Sequence, residues 1–405
     1  MANILGIVAE YNPFHNGHSY HIKKAKELAS SDYVVAIMTG NFTQRGNTSI
    51  MNKWEKAKIA LENEVDMVIE LPTVYATSSA ENFASGAIKI LKELGFITHI
   101  SFGMEADSVE GLDNIAELLL KEPRNYINIL KEELAKGVSY PKAREQAIVK
   151  YFNDKKYEEI ISEPNNILAI EYLKAMKRYK LDVKVVGIKR EKVSYNSKNV
   201  VNEYASATAI RHLLLSNNFE EIARTVPKST MKVLTENVKN NTCVLDLTEF
   251  EKMIIYKLRT MSTEEIYNIP DVTEGLENVI KTAVSKTNNL LELIELIKSK
   301  RYTQTRIQRI LVHILLEITK KDIEMSAKAI PYIRILGVTK NGKKLLSFIK
   351  SKNIITSVKS FEEVNLNRNY KRMLDIDKRA TDVYTIAYKN NSTGNLDYIS
   401  KLLVI

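Results

Sequence analysis

Five short apolar runs, separated by stretches with helical periodicity, constrain the fold of this chain more than any other feature. NILGIVA (3–9), DYVVAIMTG (32–40), DMVIELP (66–72), ITHISFGME (97–105) and VKVVGIKRE (183–191) are strand-length and largely apolar. A short run without polar alternation reads as a strand covered on both faces, and strands alternating with helices build a parallel sheet sandwiched by those helices. The intervening segments fit: HSYHIKKAKELAS follows the first run, NKWEKAKIALEN (52–63) the second, and 79–94 ends at Gly95. Helical spacing also marks 128–135, 141–152, 165–179 and ASATAIRHLLLSN (205–217). From about 219 long helical stretches take over, at 248–260, 273–300, 303–320 and 340–351. The final part, 353–405, contains strand-like pieces such as TDVYTIAY. The expectation is an α/β domain with a parallel sheet over 1–217, followed by a mainly α-helical domain over 218–405. That is consistent with two domains in 405 residues.

Charge follows the same division. Residues 1–210 hold 27 Lys+Arg and 27 Asp+Glu, whereas 211–405 hold 32 and 22, and 281–360 alone hold 17 and 5. A neutral half joined to a basic half suggests chemistry in the first and polyanion binding in the second. A merely solvated basic surface is the alternative. The single cysteine, Cys243, allows no internal disulfide and reads as a small apolar filler, which points to a reducing compartment. The start MANILGIVAEYNPF has no basic flank of the secretory kind. No run approaches the ~20 apolar residues of a membrane span. A cytoplasmic protein without a membrane segment or an evident obligate protein partner is expected.

The sharpest chemical signal is the loop EYNPFHNGH between the first strand and the first helix. Free N–H groups at a helix start favour phosphate, and Gly17 lets backbone approach a ligand closely. Two imidazoles in that turn, His15 and His18, can donate to phosphate oxygens and stabilise the charge growing on a departing pyrophosphate. A metal pair or ordinary helix-start histidines are the competing readings, but no third metal ligand is suggested nearby, and His21, one turn further on, reads as surface. No dedicated metal site is expected, and Mg²⁺ is expected only as a counterion of a nucleotide. The loop GNFTQRG after the second strand would face the same site, because ligands collect at the carboxyl ends of parallel strands. Asn41, Gln44 and Arg45 could there hold a small substrate; a plain solvent loop is the alternative. Trp54 reads as packing. In RYTQTRIQR, Arg306 and Arg309 share a helical face and, with Arg301, Lys298 and Lys300, form a basic cluster suited to nucleic-acid phosphates.

The HxGH element behind a chain-start strand resembles the nucleotidyltransferase superfamily. More specifically, GIVAEYNPFHNGHSYH, GNFTQRG, DMVIELP, SFGME, EPNNILAIEY, SATAIR and KRYTQTRIQRILVHIL together, in this order, resemble the tRNA(Met) cytidine acetate ligase family over most of the chain. The resemblance implies a Rossmann-like nucleotidyltransferase domain before a tRNA-binding helical one. It also implies a reaction in which ATP and acetate form acetyl-adenylate, whose acetyl group passes to the wobble cytidine of elongator tRNA(Met). By the same resemblance ATP lies along Ile7, Val8, Ala9, Glu10, Tyr11, Asn12, Pro13, Phe14, His15, Asn16, Gly17, His18, Ser19 and Tyr20, with Gly103, Asn165 and Arg190 contributing. Read without it, Gly103 is a turn glycine, Asn165 a helix cap and Arg190 a surface cation. Ser206, Thr208 and Arg211, in SATAIR, resemble the superfamily's second phosphate motif, with Ala207 where a serine is common. A small-molecule adenylyltransferase of the HxGH superfamily is the alternative function; it leaves the basic half without a role.

Overall fold

The computed structural model describes residues 2–190, 207–273, 275–363 and 367–405. Each of the five apolar runs forms a strand: β1 (Ile4–Ala9), β2 (Tyr33–Thr39), β3 (Met67–Leu71), β4 (His99–Met104) and β5 (Lys184–Lys189). They lie parallel in the order β5-β4-β1-β2-β3. The alternation of a strand's side chains gives each strand two buried faces. On β2, Val35 and Ile37 enter one apolar cluster, and Val34, Ala36 and Met38 enter the other. Helices Asn16–Ala29 and Lys53–Leu61 cover the second face; Ala80–Leu94 and Pro164–Tyr179 cover the first. Local chemistry sets several helix ends. Asn52 caps Lys53–Leu61 by accepting from Trp54 and Glu55 N–H, and Glu55 returns a bond to Asn52 N–H. Gly95, at φ 74°, ends Ala80–Leu94 in the left-handed region.

The C-terminal half extends this sheet. The run IRILGV forms β6 (Ile333–Val338), which pairs antiparallel with β3; β7 (Ile354–Ile355) and β8 (Leu403–Val404) both pair parallel with β6. The helices between 251 and 328 bury Ile254, Leu258, Ile280, Leu293, Ile310 and Leu311 in the same apolar cluster as Ile69 and Phe83. The sheet therefore crosses the expected boundary at 217/218, and the helical segment shares its core with the nucleotide-type sheet. TDVYTIAY is corrected: its first six residues, 381–386, are the last of helix Arg368–Ile386, where Tyr384 and Thr381 are buried. Its β-branched and aromatic composition resembles a strand, but its burial follows helical spacing, and packing overrides propensity.

A buried group of charges locks the added strands in place. Lys53 Nζ lies 2.9 and 3.0 Å from the two oxygens of Glu70 on β3 and 2.7 Å from Asp397 Oδ1. Arg334 on β6 pairs with the same two carboxylates. Beside them Asp377 accepts from Thr73 N–H at 2.7 Å and from the Tyr332 hydroxyl. Burial, with Glu70 close by, raises the Asp377 carboxyl to about 6.

Candidate active site

A cleft of about 560 Å³ opens where the carboxyl ends of β1, β4 and β5 meet. Connections leave β1 towards β2 on one side and arrive at β4 on the other, which makes this the switch point of the sheet, where ligands of open α/β folds bind. Ile7–Asn12, His15, Gly17, His18 and Tyr20 line one wall, Gly103 and Arg190 the next, and Asn165 the rim. Gln44, Arg45, Thr305 and Arg309 also line the cleft.

The loop after β1 is held from several sides. Tyr11 takes a positive φ of 47°, and Asn12–Pro13 is a cis peptide. Asn12 accepts from Ile50 N–H at 2.8 Å and donates to the Thr48 carbonyl at 2.9 Å. Lys56, fully buried, donates to the carbonyls of Glu10 (3.0 Å) and Thr39 (2.9 Å) and to Ser49 Oγ (2.9 Å), tying the ends of β1 and β2 together. Burial lowers its ammonium to about 7. Sequence reading passed over Lys56, because a lysine in the middle of a helix resembles any solvated one.

His15 caps the helix and His18 stacks on it, ring centroids 3.7 Å apart and 22° from parallel. His18 Nδ1 accepts from the His15 backbone N–H at 3.2 Å. A neutral His18 therefore carries its proton on Nε2, free to donate to a ligand. Burial and then Arg190 hold His15 down to about 3; burial, His15, Arg190 and His21 hold His18 well below the usual imidazole range. Both rings are thus neutral donors at pH 7. His21 belongs to the site and not to the surface: it lines the cleft, its Nε2 lies 2.8 Å from Ser101 Oγ, and burial with Arg190 lowers it to about 4. The signal was its position one helical turn after His18, on the same face.

These histidines give stability a pH dependence. Each binds a proton in the unfolded chain below pH ~6.5 but stays neutral in the fold, so stability is full above that pH and is lost as pH falls through the window. Between pH 6.5 and 5, His21 alone should remove about 1.5 kcal/mol. Urea unfolding of the wild type and of His21→Gln at both pH values should show that excess loss in the wild type. Equal losses would contradict the buried neutral state.

The other expected residues separate into groups. Arg190 Nη1 reaches Asn165 Oδ1 at 3.4 Å, and Asn165 Nδ2 bonds Glu105. Asn165 lies inside helix Pro164–Tyr179 instead of capping it; its neighbour Asn166, which sequence reading missed, receives Glu105 and Ala106 N–H at 2.9 and 3.1 Å and so fixes the exit of β4. Gln44 N–H donates to Glu10 Oε1 at 2.9 Å. Asn41 is buried away from the cleft, accepting from Lys53 N–H and donating to Thr381. Pro13, Phe14, Asn16 and Ser19 support the loop without lining the cleft, and Asn16 donates to the Arg224 carbonyl. Ser206 lies outside the described residues; Thr208 is exposed, Arg211 donates to the Thr48 carbonyl at 2.8 Å, and among the described residues of that motif Ala207 alone lines the cleft. Arg301 is exposed. Arg306 is occupied by the Asp271 carbonyl (3.0 and 2.7 Å) and Thr273 Oγ1 (2.7 Å), and Arg309 pairs with Asp271 at 2.8 Å. The acid that balances this cluster comes from a distant turn, which is why the local sequence concealed it. Among the described residues no group of three or more His, Cys, Asp or Glu is placed to hold a metal ion, and no helix is long and apolar enough to cross a membrane.

Comparison with known proteins bears on the family and the fold. The family model of HIGH nucleotidyl transferases matches residues 2–397. The tRNA(Met) cytidine acetate ligase of Thermoanaerobacter sp. (strain X514) is 45% identical over 403 residues, covering 99% of both chains. That of Caldanaerobacter subterraneus subsp. tengcongensis is 44% identical over 399 residues, covering 98% of this chain and 99% of the relative. Among solved structures, apo Thermotoga maritima TmcAL matches with a TM-score of 0.95 at 32% identity, and the same protein bound with alpha-thio ATP with 0.93, each covering 99% of both chains.

Proposed function

The chain belongs to the tRNA(Met) cytidine acetate ligase family of HIGH nucleotidyl transferases, and we propose that it activates acetate with ATP and acetylates the wobble cytidine of elongator tRNA(Met) in the cytoplasm. The observation that carries the reading is the stacked His15–His18 pair at a helix start in the switch-point cleft, with Arg190 across from it. ATP would lie along Ile7–Tyr20 with its phosphates at the helix start, where His15 and His18 donate to the α-phosphate and the departing pyrophosphate. An acetate oxygen attacks the α-phosphorus, the bond to pyrophosphate breaks, and acetyl-adenylate forms. The N4 amine of cytidine then attacks the acyl carbon, and AMP leaves with loss of a proton from the amine. Both steps need positioning and charge stabilisation, without a covalent enzyme intermediate. Mg²⁺ would arrive with the nucleotide phosphates. Residues 1–217 would supply the ATP chemistry and 218–405 the tRNA surface, with Arg301 on its exposed face. Gln44 and Arg45 would hold the acetate or the adenylate.

The first test is pyrophosphate exchange into ATP, which should depend on added acetate and require no tRNA. Gly103 sharpens it. A methyl group there would meet only Arg190 Cγ and Cδ, at 3.5 Å, an ordinary contact. The fold thus accommodates the side chain, so an effect of adding it would come from a ligand beside Gly103. Gly103→Ala should keep its unfolding midpoint while KM for ATP rises about tenfold, the cost of roughly 1.4 kcal/mol of lost binding. An unchanged KM would remove Gly103 from the nucleotide site.

A further inference from the structure

Arg309 was expected to face nucleic acid, but the fold carries it to the catalytic cleft. Gly46, at φ 70°, lies so close to helix Gln304–Leu316 that a Cβ would stand 2.2 Å from Arg309 N, so the GNFTQRG loop and this helix form one wall. Asp271 holds the guanidinium through Nε at 2.8 Å. Among the described residues its two terminal nitrogens have no hydrogen-bond partner. Gln44, Arg45 and Thr305, and the apolar Ala80 and Phe83, line the same cleft.

A braced guanidinium with two available donors, in a cleft that also presents apolar side chains, matches a short carboxylate, with its two oxygens on the fork and its alkyl group on the apolar lining. We propose that Arg309 binds the carboxylate of the acyl substrate and seats its methyl group against Ala80 and Phe83, an assignment that rests on the acetate-activating reading above. Arg309 is then a substrate-binding residue of the first half-reaction, and the basic helix contributes to small-molecule chemistry as well as to any RNA surface.

Acetate-dependent pyrophosphate exchange without tRNA tests it, in the wild type, Arg309→Ala and Arg309→Lys, with folding and ATP-analogue binding checked in each. The alanine variant should raise KM for acetate about 10–100-fold, the usual effect of losing a charged hydrogen-bond partner, with KM for ATP within about twofold. The lysine variant keeps the charge but loses the fork, and should fall between. An unchanged acetate KM in both variants overturns the proposal, and a raised KM for tRNA in the full reaction would then place Arg309 at the RNA. No acetate-dependent exchange in the wild type would overturn the acetate reading itself, and this assignment with it.

Discussion

Replacing His18 with alanine should slow acetate-dependent pyrophosphate exchange by about 10²–10³-fold, the usual cost of one preorganised donor to developing charge. The orientation of His18 makes the loss specific. Its Nδ1 is occupied by the His15 backbone N–H, so the donor is Nε2–H. Asparagine can present an N–H but not at the same reach, so His18→Asn should retain part of the rate. His15→Ala should cost a similar factor, and the double variant less than the product, as expected of stacked rings that act as a unit. Because His18 is only half-buried, the variants should unfold cooperatively, with ATP-analogue binding weakened but measurable. A loss below about fivefold would mean that the histidines shape the loop without touching the reacting phosphates.

The largest effect on stability should come from Lys53→Ala. Lys53 is buried and faces Glu70 and Asp397, with Arg334 completing the group. Removing it leaves two buried carboxylates sharing one guanidinium, which should cost about 3–5 kcal/mol in urea unfolding. Lys53→Met with Asp397→Asn should recover much of this, because the charge is then balanced again. A loss below about 1 kcal/mol would show that water reaches the cluster and that the added strands are held by apolar packing alone.

Much of this fold could be read along the chain because its signals are local. The five apolar runs became β1 to β5 because apolar composition over strand length already encodes burial on both faces. The placement of the histidine loop was legible because the strand, Gly17, the two histidines and the helix start lie only a few positions apart. Contacts between distant segments were not legible. IRILGV carries nothing to say that it pairs with β3, more than 260 positions earlier in the chain. Lys53 and Lys56 look alike in sequence; one belongs to a buried ion cluster and the other bridges strand ends, according to which acceptors the fold brings near. Arg309 reads as part of a basic run because Asp271 is supplied by a turn 38 residues away. His21 carried a local signal, its spacing from His18, which its surface-like helix obscured.

The central claim is tested most directly by mass spectrometry of nucleosides from unmodified elongator tRNA(Met) incubated with the protein, ATP and isotopically labelled acetate. Label in N4-acetylcytidine, dependent on ATP and abolished or strongly reduced in His18→Ala, is the predicted result. No labelled N4-acetylcytidine from folded, ATP-binding protein would contradict the account and leave a small-molecule adenylyltransferase as the reading of the same cleft.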